Sequence, residues 1–179
     1  TLMVFNNSKV RRSQCFAKKI QSEQAKKMNQ QAPEKPVEFM ILQSVPLQSL
    51  KEDDAKNFTC AWRAMVKNAK KQKVGCEYLF SDGTVCTIVE NPIDVGTEFR
   101  TIAFKCNLDE TWFENNGHIP LPPYIKREDN KEDSSRYQNV YAKETGSAAC
   151  PTAGLHFTQD MLHNLAMKGA MIIFGKHYS

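Results

Sequence analysis

The run Pro151-Thr152-Ala153-Gly154-Leu155-His156-Phe157 puts an imidazole and an aromatic ring directly after a turn of small residues. Small residues let backbone approach a ligand closely. Imidazole is the side chain whose ordinary titration lies nearest neutral pH, which suits it to general acid–base work. The same run also reads as a tight turn followed by a histidine that satisfies a buried backbone carbonyl. Tyr124, Tyr137, Tyr141 and Phe157 supply rings that can line a cofactor site or stack on an extruded base. At i, i+4 spacing, Tyr137 and Tyr141 suit core packing equally well. Arg127 and Arg136 carry guanidinium forks matched to a phosphate or a carboxylate, or they are solvated surface arginines. His118 and the prolines 120, 122 and 123 read as a rigid loop.

Charge distribution adds a second kind of chemistry. The 179 residues carry a net +4. Residues 1–35 hold eight Lys/Arg, Lys9 among them, against Glu23 and Glu34, which makes that stretch +6 and leaves −2 for the remainder. Within the acidic remainder lies a basic cluster, Lys67, Lys70, Lys71 and Lys73. Such clusters meet nucleic-acid phosphates or are solvated loop lysines. Six cysteines at 15, 60, 76, 86, 106 and 150 form no C-x-x-C pair and no zinc-finger spacing. They read as scattered reduced thiols packed as small hydrophobes, with no metal site and no disulfide framework. No apolar run approaches the roughly 20 residues of a membrane helix. The chain opens at Thr1 without a basic leader, inside a strand-like run, as a portion of a longer protein would.

Elements that must position these residues follow from periodicity. Leu2–Phe5 reads as a short buried strand, followed by turn chemistry at Asn6-Asn7-Ser8. Strands are predicted at 14–20, 37–45, 58–66, 76–80, 84–90 and 97–106, with a tight hairpin at Ser81-Asp82-Gly83. Six short strands between polar loops predict a small antiparallel barrel or sandwich. The polar stretches 21–35 and 48–56 read as mobile surface excursions. A short helix is expected over 108–116 and another over 135–143, with Tyr137 and Tyr141 on one face. Thr158 is the expected N-cap of a helix whose buried stripe is Met161, Leu162 and Leu165, stopped by Gly169. Ala170–Phe174 reads as a buried strand, and a helix followed by an apolar strand implies an α/β layer.

Three long segments carry a resemblance: Gly117-His-Ile-Pro-Leu-Pro-Pro-Tyr-Ile125, Tyr137-Gln-Asn-Val-Tyr-Ala142 and Gly146-Ser-Ala-Ala-Cys-Pro-Thr-Ala-Gly-Leu-His-Phe157. With the weaker Val4-Phe-Asn-Asn-Ser-Lys-Val10, they resemble the S-adenosylmethionine:tRNA ribosyltransferase-isomerases of the queuosine pathway. Departures are Cys150 in place of the family's Ala, Ser8 and Lys9 in place of Thr and Arg, and the divergent residues after Phe174. The resemblance implies an α/β domain (1–13 and 108–179, its C-terminal part missing) interrupted by a six-stranded antiparallel β-barrel (14–107), in a monomeric cytoplasmic enzyme. It implies transfer and isomerisation of the ribosyl group of S-adenosylmethionine onto 7-aminomethyl-7-deazaguanine in the tRNA anticodon, with adenine and methionine released. On that reading His156 is the acid–base residue, and Tyr137, Tyr141, Pro151, Thr152, Ala153, Gly154 and Phe157 contact S-adenosylmethionine. Tyr124, Arg127, Arg136, Lys9, Lys70 and Lys71 contact the tRNA substrate, and no metal takes part. The alternative is a non-catalytic RNA-binding barrel or a degenerate fragment of the enzyme.

Overall fold

The computed structural model describes residues 1–21, 35–92, 96–122, 125, 127, 129–130 and 132–175. They divide into two compact units, Arg12–His118 and Thr1–Arg11 with Ile119–Ser179.

The Arg12–His118 unit is built on β3 (Gln14–Lys19), β4 (Val37–Val45), β5 (Cys60–Val66), β6 (Glu77–Phe80), β7 (Val85–Glu90) and β8 (Phe99–Phe104). These strands close into a barrel in the order β3-β4-β5-β8-β7-β6, with every neighbour antiparallel. Period-two alternation explains why they form. In β3, Cys15 and Ala17 are buried while Phe16 and Lys18 face out; in β6, Tyr78 and Phe80 are buried while Glu77 and Leu79 face out. Phe39, Ile41, Trp62, Ala64, Val66, Tyr78, Phe80, Cys86, Ile88, Ile102 and Phe104 fill the interior with Cys15 and Ala17. All six cysteines are free. Burial pushes the Cys15 thiol up to about 12 and raises that of Cys86, so neither is a ready nucleophile.

A helix, α2 (Glu110–Asn116), seals one barrel mouth. Asp109 caps it by accepting from the Trp112 backbone N–H at 2.8 Å, and Phe113 lies fully buried against Trp62. Trp112 Nε1 donates to Asp82 Oδ2 (2.9 Å) and Asn116 Nδ2 to the same oxygen (3.1 Å). Burial alone would raise the Asp82 carboxyl, but these bonds and those from Thr84 hold it below its ordinary range. Residues 108–118 therefore sit with the barrel unit, although sequence had assigned them to the α/β side.

The stretch 48–56 lies at the surface as expected, with none of its residues buried, but it carries secondary structure that sequence did not foresee. A 3-10 turn (Leu47–Ser49) and helix α1 (Glu52–Asn57) form there, because Leu47, Leu50 and Phe58 pack against Ala61, Val89 and Ala103 on the outer face of the barrel. Strand β8 is consequently buried on both faces. The other expected excursion, 21–35, lies almost entirely outside the described residues.

In the second unit β1 (Leu2–Asn6) pairs in parallel with β10 (Met171–Gly175), and β2 (Ser8–Val10) pairs in parallel with β9 (Glu144–Ser147). Ser8 N donates to Asn6 Oδ1 at 3.0 Å, the turn chemistry expected between β1 and β2. The helix preceding β10, α4 (Gln159–Met167), is N-capped by Thr158 and stopped by Gly169 at φ +84°, as read from sequence. Two expectations fail here. Only Leu162 of the predicted stripe is buried, with Met161 46 % exposed, and β10 is largely open, with Met171 65 % and Phe174 46 % exposed. One apolar face of the β1–β10 pair is uncovered among the described residues, so apolar character there does not translate into burial.

The helix expected over 135–143 also fails. Helix α3 covers only Asp133–Arg136, and residues 137–143 turn back. The physical reason is that Gln138 and Asn139 serve as backbone partners for other segments. Gln138 Oε1 accepts from Val10 N and its Nε2 donates to Val10 O, both at 2.8 Å, which mimics a strand neighbour for β2. A straight helix would forfeit these bonds.

Candidate functional site

Pro151, at φ −64°, opens a 3-10 turn over Thr152–His156, with Gly154 N bonding Pro151 O and Phe157 N bonding Gly154 O. The turn is seated on residues of its own unit. Asn139, only 4 % exposed, donates from Nδ2 to Pro151 O (3.2 Å), and Cys150 Sγ approaches Asn139 Oδ1 at 3.8 Å. Gly154 is buried so tightly that an added Cβ would stand 2.0 Å from Tyr141 Oη and 2.5 Å from Asn139 Nδ2. The approach expected from sequence was to a ligand; what the turn meets at Gly154 is Tyr141 and Asn139 of its own unit.

Aromatic packing fixes the exit of the turn. Phe157 meets Phe5 edge-on at 4.9 Å, Phe5 meets Tyr141 at 5.0 Å, and Tyr141 meets Phe174 at 5.6 Å. Leu162 completes the cluster from α4. Burial raises the Tyr141 hydroxyl, which stays protonated as a packed phenol. Between the buried Gly154 and the half-buried Phe157, His156 is exposed, and its imidazole has no hydrogen-bond partner among the described residues. Thr152 and Ala153 are exposed beside it. The arrangement presents a free acid–base group and small residues on a rigid aromatic footing.

The queuosine biosynthesis protein family matches residues 1–174. This chain belongs to that family. Over 168 residues the queuosine-family chain is 43 % identical to the S-adenosylmethionine:tRNA ribosyltransferase-isomerase of Treponema denticola, covering 94 % of this chain and 42 % of that protein. A Borreliella afzelii protein of the same name is 37 % identical over 90 % of this chain and 38 % of its own length. The chain thus spans about two fifths of the length of these curated relatives. A solved S-adenosylmethionine tRNA ribosyltransferase from Thermotoga maritima aligns with 97 % of this chain and 39 % of its own, at 17 % identity and a TM-score of 0.39.

The remaining candidate residues of this queuosine-family chain are dispersed. Tyr137 is half-buried against Val10, Ile119 and Cys150, a cluster separate from that of Tyr141, so the i, i+4 pair shares no face. Lys9 is exposed on β2. Arg136 is exposed, 3.4 Å from Glu132. Arg127 spends its fork on Asp133, Nη1 to Oδ2 at 2.6 Å and Nη2 to Oδ1 at 2.8 Å. Lys70 and Lys71 belong to the barrel unit, on a 3-10 turn over Ala69–Lys71. Tyr124 lies outside the described residues. Among the described residues no three His, Cys, Asp or Glu side chains converge as metal ligands, and no helix is long and apolar enough to cross a membrane. Among the described residues, surface concavities of about 380 and 490 Å³ lie in the barrel unit, beside Lys70 and Lys71 and beside Asp82 and Trp112.

Sequence reasoning overlooked Asn139, Gln138, Phe5 and Asp133. All but Asp133 stood inside quoted motifs, but their partners are more than ten residues away. Asp133 makes a pH prediction. Hydrogen bonds from Arg127, and then from the Asn130 backbone, hold its carboxyl at about 2. A depressed carboxyl contributes stability above its unfolded value near 4, and that contribution is lost as pH falls toward 2. Urea melts at pH 6, 4 and 2 are expected to show Asp133→Asn less stable than the parent at pH 6, with the gap closing by pH 2. A pH-independent gap would assign Asp133 no electrostatic part.

Proposed function

We propose that the full-length protein carrying this chain is an S-adenosylmethionine-dependent tRNA ribosyltransferase-isomerase acting on 7-aminomethyl-7-deazaguanine in tRNA. The observation that carries this reading is the family match across residues 1–174, which takes in the turn holding His156. The two curated relatives share a name that specifies both S-adenosylmethionine and tRNA. We propose equally that the protein is cytoplasmic and monomeric, and that the two units are an α/β domain and a barrel inserted in it.

When bound, S-adenosylmethionine supplies the ribosyl group and, through its sulfonium, an acidified carbon beside sulfur. The residues around the turn fit such an amphipathic ligand: a half-buried ring in Phe157, exposed Thr152 and Ala153, and an unengaged imidazole. Pro151 and Gly154 hold the turn in shape from below, with Tyr141 and Asn139 as its floor. His156 moves a proton during the reaction, as its exposure and freedom allow. Tyr137 supports the neighbouring wall. Lys9, Lys70, Lys71 and Arg136, exposed and cationic, meet tRNA phosphates.

The test is release of adenine from labelled S-adenosylmethionine by the full-length protein, with tRNA bearing the aminomethyl-deazaguanine base and with unmodified tRNA as control. Release confined to the modified tRNA is the expected result. Binding of either tRNA with no adenine release would replace this reading with a non-catalytic RNA-binding protein.

A further inference from the structure

The barrel loop between β5 and β6 holds a second arrangement, and it centres on a residue that sequence did not single out. Arg100 lies on β8 and is only 7 % exposed. Among the described residues no carboxylate pairs with its buried guanidinium. It donates instead to four backbone carbonyls: Nε to Gln72 O (3.0 Å), Nη1 to Thr97 O (2.9 Å) and to Phe99 O, and Nη2 to Ala69 O. A buried cation costs heavily unless its donors are satisfied, so these bonds are obligatory rather than incidental. Two of the four acceptors, Ala69 O and Gln72 O, bracket the lysines at 70 and 71.

A second anchor grips the same loop. Tyr78 Oη, in the barrel interior, donates to the buried Gln72 side chain at 2.7 Å. Asn68 enters the turn in the left-handed region at φ +54°, and Lys71 N and Gln72 N close it onto Asn68 O and Ala69 O at 2.8 and 2.9 Å. The backbone is therefore fixed from inside, while Lys67, Lys70, Lys71 and Lys73 are all exposed. Lys67 pairs with Glu38 at 3.2 Å, whereas Lys70, Lys71 and Lys73 show no ion pair among the described residues. These four charges stand in a stretch, 36–179, whose net charge is −2. Beside them is the concavity of about 380 Å³, with Ala69 and Val66 as apolar lining and Lys70, Lys71, Asn68 and Glu98 around it.

We infer that the Lys67–Lys73 loop is a preformed RNA-backbone docking surface, and that buried Arg100 is its positioning residue. Fixing the backbone before binding removes the loop-ordering part of the association cost and leaves only that of the lysine side chains. The inference rests on the proposed tRNA chemistry for its ligand.

Binding of a tRNA transcript to the full-length protein, measured across a series of salt concentrations, tests it. Replacing exposed Lys70 and Lys71 by alanine should weaken binding roughly tenfold at low salt and flatten the salt slope by about one per lysine removed. Arg100→Gln should speed amide exchange at Lys71 and Gln72 while that of Ile102 is unchanged, and should weaken tRNA binding; Arg100→Lys should recover part of both. Unchanged affinity and slope in the double lysine variant would overturn the docking surface even if the wild-type protein releases adenine. Faster exchange at 71–72 with undiminished affinity would overturn the role of Arg100 alone. A wild-type protein that binds no tRNA at all would remove the functional reading and this inference together.

Discussion

Replacing His156 by alanine is expected to lower adenine release by the full-length protein about 10²–10⁴-fold, the range over which a general acid–base group usually contributes. The fold should be indifferent to the change. The imidazole is exposed and has no hydrogen-bond partner among the described residues, so its removal leaves no buried group orphaned. Thermal melting should coincide with wild type. His156→Gln separates two roles, because the amide donates a hydrogen bond but does not titrate. If proton transfer is the contribution, the glutamine variant stays as slow as alanine and the pH–rate profile loses a limb. If glutamine restores most of the rate, His156 holds substrate and moves no proton. Near-normal turnover in the alanine variant would remove it from the site.

The plainer reading of His156, a histidine satisfying a buried carbonyl, loses ground on its exposure; sequence alone could not decide the matter. The barrel was legible for a different reason. Its strands alternate with period two, as in Glu77-Tyr78-Leu79-Phe80, and its turns carry their own chemistry at Ser81-Asp82-Gly83. Both signals are local. What sequence missed is set by partners far along the chain. Gln138 completes β2 from 128 residues away, Arg100 clamps carbonyls 28 and 31 residues away, and Leu47 and Phe58 find Val89 and Ala103 across the barrel surface. Met161 and the residues of β10 are a different case: their apolar character was readable while their exposure was not. Among the candidate site residues, the 151–157 run was legible as a small-residue turn because Pro151, Gly154 and Thr158 each act locally. Its floor was not, since Tyr141 was read as sharing a helical face with Tyr137 and Asn139 was not singled out at all.

That floor makes Gly154 the residue on which the site's geometry turns. Gly154→Ala is expected to cost both stability and turnover. The new methyl would lie 2.0 Å from Tyr141 Oη and 2.5 Å from Asn139 Nδ2, well inside contact distance. Tyr141 has little room to yield, because it is 6 % exposed and its ring is packed against both Phe5 and Phe174. Overpacking of this kind costs about 1–3 kcal/mol, which lowers the melting temperature of the unit that holds the turn. The alternative to bearing that cost is to lift the turn off its floor. His156 then moves with it, and a displacement of about 1 Å at a reacting group can cost on the order of 10²-fold in rate. A compensating change distinguishes this account from general damage. Tyr141→Phe deletes the hydroxyl at the closest contact, so the Gly154→Ala, Tyr141→Phe double variant should melt above Gly154→Ala and regain part of the lost turnover. The recovery should be partial, since the Asn139 contact remains. A double variant no better than Gly154→Ala in either measurement would mean that the turn is not held by this contact, and the positioning of His156 would need another origin.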